Sequence, residues 1–115
     1  MANDLMTPYN LNRAIDEAER LFIDAGQHRV RAEAMDMRRK RVRAALIIKH
    51  REAAKSAAMA EAMAEADPVY ELACTDWENA ALQSETLRAQ AEAKRMKFEA
   101  WRTANATARA QMNLR

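Results

Sequence analysis

Two stretches of the chain set cations beside rings or apolar side chains at short spacing. The first is "MRRKRVR" (37–43), holding Arg38, Arg39, Lys40, Arg41 and Arg43. The second is "KRMKFEAWR" (94–102), holding Lys94, Arg95, Lys97, Trp101 and Arg102, with Arg109 and Arg115 behind it. Guanidinium and ammonium groups follow phosphates and flat rings stack on bases, so this combination suits single-stranded nucleic acid. The same residues allow a plainer use. Phe98 and Trp101 fall on an apolar helical line, where packing alone accounts for them. Successive residues rotate by about 100° around a helix, so the run from Arg38 to Arg43 surrounds its helix and reads equally as solvated surface.

Other chemistries lack their parts. His28 and His50 lie far apart with no HExxH pattern, and the single cysteine, Cys74, excludes zinc-finger spacing. One glycine excludes a glycine-rich phosphate loop. Glu61 and Glu65 share a helix face, as many solvent-facing carboxylates do, and Cys74 reads as a small packing residue. No enzymatic activity, cofactor or metal is expected.

The net charge of +2 hides a strong pattern. Residues 1–28 carry −3, residues 29–55 carry +7, residues 56–92 carry −7 and residues 93–115 carry +5. Such striping points to a polyanion or to charged protein surfaces as partners. No apolar run approaches the roughly 20 residues of a membrane span, so no membrane partner is expected. The opening "MANDLMTPYN" lacks the layout of a signal peptide, and one cysteine suits a reducing compartment. A cytoplasmic location is expected.

The elements that position these groups read as helices throughout. Alanine, arginine, glutamate and methionine dominate, while sustained apolar alternation is missing. Thr7 and Pro8 start a first helix, whose stripe of Leu11, Ile15, Ala18, Phe22 and Ala25 runs to a stop at Gly26. A second helix is expected over about 28–66, with Val30, Ala34, Met37, Ala45 and Ile48 in one line and Met35, Val42 and Leu46 beside it. Asp67 and Pro68 end it and start a third helix over about 68–112. That helix carries a heptad line: Ala73, Trp77, Ala80, Ser84, Leu87, Ala91, Lys94, Phe98, Trp101, Asn105, Ala108 and Met112.

The expected fold is therefore all-α and single-domain, a short N-terminal helix followed by a long antiparallel helical hairpin. Long helices with few aromatics leave apolar faces uncovered, so a homo-oligomer is expected. Counting outward from a corner at 67/68 pairs Ile48 with Leu87, Met37 with Phe98 and Ala34 with Trp101. It also sets Arg41 beside Lys94, so the far end of the hairpin is doubly basic and its tip acidic. A phosphate backbone, or an acidic surface on another subunit, would relieve that repulsion.

The order of a short helix, a basic helix, the acidic corner "AEADPVYELACTDW" and a basic, aromatic last helix resembles the phage recombination mediators of the UvsY kind. The likeness covers most of the chain and is strongest from Ala64 to Met112. The family's usual C-terminal Arg-Gly and following Ile-Lys are replaced here by "FEAWRTANATARAQM". The resemblance implies a small helical oligomer that binds single-stranded DNA and helps a RecA-like recombinase displace single-strand-binding protein. It implies a phage origin, hence the host cytoplasm, and DNA contacts within Arg38 to Arg43 and Lys94 to Arg102. The alternative is a helical adaptor, scaffold or protein inhibitor of phage origin, docking on proteins through its charged stripes.

Overall fold

Residues 8–114 are described by the computed structural model. They form three helices with no strand among them: α1 (Pro8–His50), α2 (Ala57–Ala66) and α3 (Pro68–Asn113). The expected cap Thr7 and the terminal Arg115 lie outside the described residues. None of the helices is long and apolar enough to cross a membrane.

The first break does not fall at Gly26. That residue sits inside α1 without a positive φ, so the expected helix of 8–25 is the first part of a 43-residue element. A glycine inside a helix costs about 1 kcal/mol relative to alanine, too little to end one whose apolar spacing continues on both sides. The chain opens instead at 51–56, inside the expected second helix. Ser56 there takes an extended backbone, and its side chain accepts a hydrogen bond from the Met59 N–H (3.1 Å), capping α2. Asp67 closes α2 and opens α3, accepting the Val69 N–H on its carboxylate (2.9 Å) ahead of Pro68.

The chain divides into two compact units. The central unit, Gly26–Glu85, holds the second half of α1, all of α2 and the start of α3. Its buried residues are Ala32, Leu46, Ala60, Ala64, Ala73, Ala80 and Ser84, so one leucine supplies the only large buried side chain among them. The terminal unit joins residues up to Ala25 with those from Thr86 onward, and buries Ala25 and Ala91. In both units helices approach over alanine, which lets backbones come close but removes little apolar area from water.

On α3 the buried positions Ala73, Ala80, Ser84 and Ala91 all belong to the heptad line read from the sequence. On α1 the inward line takes Leu11, Ala18 and Ala25 from the expected first stripe, and Met35, Val42 and Leu46 from beside the expected second line. Leu11, Ala14, Ala18, Leu21, Ala25, His28, Ala32, Met35, Arg39, Val42 and Leu46 are all buried or half-buried at spacings of three and four. The expected line of Val30, Ala34, Met37, Ala45 and Ile48 faces outward, with Ile48 66% exposed. The polar members His28 and Arg39 disguise the inward line in the sequence.

The position of Gly26 gives a test with an informative sign. A Cβ built there meets nothing within 4 Å. Gly26→Ala should therefore stabilise the protein by about 0.5–1 kcal/mol in urea unfolding. A left-handed helix stop at that residue would make the same substitution destabilising.

Candidate nucleic-acid interface

The first basic run lies in the central unit and meets acids and rings there. Arg39 turns inward: its guanidinium stacks on Trp77, 4.6 Å from the ring centroid. It also donates to the Asp36 carboxylate (2.6 and 3.2 Å) and to the Tyr70 hydroxyl (3.4 Å). Arg43 donates twice to Glu65 (2.9 and 3.1 Å), and Lys40 lies 3.4 Å from Asp36. Arg38 lines a shallow cleft with Arg31, Met35 and Asp76. Arg41 is exposed, and no carboxylate of the described residues lies within salt-bridge distance of it.

The second basic run lies in the terminal unit. Lys94, expected beside Arg41, instead donates to Glu17 of α1 (3.1 Å). Arg95 is held by Glu92 (2.9 Å), one turn before it on α3, and Arg102 stands 3.8 Å from Glu99. Lys97 and Arg109 are exposed. The corner count of the expected hairpin is thus replaced by another register, in which basic groups of each unit face acidic groups of the same unit. The expected count assumed one unbroken helix over 28–66, whereas α1 continues through Gly26 and the chain opens at 51–56.

The described groups with shifted acidities reflect this pairing. The hydrogen bond from Lys94 holds the Glu17 carboxyl below its ordinary range, and Arg39 does the same for Asp36. Asp67 is lowered by the ring N–H of His50 at 2.9 Å and then by the Val69 N–H. Arg39, Arg43 and Arg95 are raised by hydrogen bonds to Asp36, Glu65 and Glu92 respectively.

One open groove in the terminal unit, about 470 Å³ in volume, brings several expected residues together. Trp101 and Phe98 lie 6.1 Å apart between ring centroids, and the groove is also lined by Leu11, Arg102, Asn105 and Arg109. It therefore offers aromatic faces, two guanidinium groups, a carboxamide and the Glu99 carboxylate on one surface. Arg38, Arg39, Lys40, Arg41 and Arg43 line no part of it.

A pattern missed in the sequence explains the groove. Arg88, Arg95, Arg102 and Arg109 recur every seven residues along one edge of α3's inward line. Glu71, Glu78, Glu85, Glu92 and Glu99 recur at the same interval on the adjacent strip. Heptad spacing of the charged residues, no less than of the apolar ones, marks both rows in the sequence. No protein-family model, no curated protein and no solved structure matches the chain.

Two outcomes follow from the paired charges. The depressed carboxyls add stability that is complete above their ordinary values, around pH 4, and lost as pH falls through the lowered values of the folded state. Circular dichroism melts should therefore fall steeply below about pH 4, and less steeply in an E17Q/D36N/D67N variant, which starts from a lower neutral-pH melting point. Arg39→Ala should lower the melting temperature at pH 7, whereas Lys97→Ala, at an exposed position, should leave it within measurement error.

Proposed function

We propose that the chain is a single-stranded-DNA-binding mediator of recombination that works as a homo-oligomer in the cytoplasm of a phage-infected host. The observation that carries this reading is the groove of Phe98, Trp101, Arg102, Asn105 and Arg109. Cations spaced along a helix follow a phosphate backbone, the open part of a half-buried ring face stacks on a base, and neither contact requires a particular sequence. The Arg102–Glu99 separation of 3.8 Å is long for a charge-assisted hydrogen bond, so a phosphate can take that guanidinium at small cost. Repetition of weak sites in an oligomer multiplies their effect along one strand. A RecA-like recombinase and a single-strand-binding protein would be its protein partners.

The first basic run contributes differently in this reading. Arg39 and Lys40 already face Asp36 and Arg43 holds Glu65, which leaves Arg38 and Arg41 as its other outward-facing cations. That same pairing favours a second reading, a helical adaptor, scaffold or inhibitor that docks on proteins and has no DNA site.

Fluorescence anisotropy of labelled oligo-dT separates the two. The mediator reading expects binding that weakens with salt by a log–log slope of about 0.7 for each phosphate neutralised. Trp101→Ala should weaken binding by about 1–3 kcal/mol if one base stacks there. An R102E/R109E variant should lose it, while Arg39→Ala should retain affinity at temperatures where it is folded. No binding at low salt, or full binding by R102E/R109E, would favour the adaptor reading.

A further inference from the structure

Among the described residues many large apolar side chains are exposed, while the buried apolar ones are alanines and a single leucine. In the central unit Val30, Met37, Ile48, Leu72 and Leu82 are each more than half exposed, against a single buried leucine. These side chains are not scattered. On α1 every inward position of the unit has an outward counterpart two residues later, about 200° round the helix. The inward His28, Ala32, Met35, Arg39, Val42 and Leu46 thus answer to Val30, Ala34, Met37, Arg41, Ala44 and Ile48, all exposed. The same displacement on α3 leads from Ala73, Trp77, Ala80 and Ser84 to Thr75, Asn79, Leu82 and Thr86, preceded by Leu72. Further along α3 the outward line meets only threonine, alanine and methionine as far as Ala110, without one charge in a chain that is 31% charged. Each long helix is therefore built to pack on two sides.

The flanks of the two outward lines differ in sign. Beside the α1 line stand Arg31, Arg38 and Lys40, with Arg41 inside it and Glu33 as the opposing acid. Beside the α3 line stand Glu71, Glu78 and Glu85 on one edge and Asp76 on the other, with no cation in the unit's part of either edge. Pairing α3 lines with each other in antiparallel fashion would bring the glutamate rows together, and pairing α1 lines would gather the arginines; like charges opposed in this way are destabilising. Pairing the α1 line of one copy with the α3 line of the next covers both apolar faces and sets opposite charges across their edges.

From this we infer that the outward faces of α1 and α3 are the two halves of one heterologous interface, and that the occupant of each is the opposite face of a second copy of this chain. Such a contact leaves a free half at each end of any pair, so it propagates into a closed ring or an open filament instead of ending at a dimer. Arg41, set among apolar residues on the α1 face, meets the glutamate row there and fixes which face can be its partner. The inference rests on the self-association proposed above and is independent of DNA binding.

The test uses the full-length protein in sedimentation velocity, with Met37→Glu on the α1 face and Leu82→Glu on the α3 face. Both positions are exposed, at 51% and 67%, so the helices should form, as circular dichroism will report. Should either variant lose helix, Val30→Glu or Leu72→Glu takes its place on the same face. The wild type should sediment as an oligomer and each variant alone as a monomer. An equimolar mixture of the two variants should form a pair and stop there, since each brings one intact face. A monomeric wild type would overturn self-association itself. An oligomeric wild type with either variant still self-associating, or with a mixture that stays monomeric, would overturn this interface and leave self-association standing.

Discussion

Arg39 is the residue on which the central unit depends. It occupies a place on the inward line of α1 that an apolar side chain would ordinarily take, and its side chain is only 22% exposed. A guanidinium can leave water to that extent only where other groups replace the lost hydration. Asp36 supplies a carboxylate from one turn before, while Tyr70 and Trp77 supply a hydroxyl and a ring face from two successive turns of α3. Sliding α3 by one heptad toward its N-terminus would present Ser84 where Trp77 now stands. The alanine-rich line would tolerate such a slip; the stacked arginine would not. Buried alanines bring the helices close, and Arg39 sets which residues then face each other.

Pairing within each unit decides what the charge stripes do. Four blocks of alternating sign run along the chain, and the fold brings a basic block against an acidic one within each unit: Arg43 with Glu65 centrally, Lys94 with Glu17 in the terminal unit. Exposed pairs of this kind add little to stability individually. Their value lies in the repulsion avoided, because another register would oppose like charges over several turns. The striping therefore serves folding first, and the cations left outward-facing, among them Arg38, Arg41, Lys97 and Arg109, are those available for a partner.

Much of the α3 architecture was legible in the sequence because its inward line is nearly free of charge and its start is marked by Asp67 and Pro68. The α1 architecture was not. Two lines with the same spacing run along that helix, and the more apolar of them, through Val30, Met37 and Ile48, is the outward one. Periodicity finds a face but cannot say which of two faces a given neighbour covers. The break at 51–56 was equally hidden, since only Ser56 marks it and no glycine or proline falls within it. At the candidate site, Trp101, Arg102 and Arg109 could be named from residue type alone. Tyr70 and Trp77, which claim Arg39 together with the nearby Asp36, could not, because nothing local pairs residues 31 to 38 positions apart.

The pairing of Lys94 with Glu17 sets the register of the terminal unit, and a zero-length carbodiimide cross-linker reports it without any mutation. The two side chains lie 3.1 Å apart and 77 residues apart in sequence, close enough for an amide to form between them. A mixture of unlabelled and ¹⁵N-labelled protein, cross-linked and digested for mass spectrometry, distinguishes links within a chain from links between chains. The register described here requires a Lys94–Glu17 link within single chains. Absence of that link, with Lys94 joined instead to Glu33 or Asp36 of the same chain, would mean that α1 and α3 pair in another register and would contradict the fold on which the rest depends.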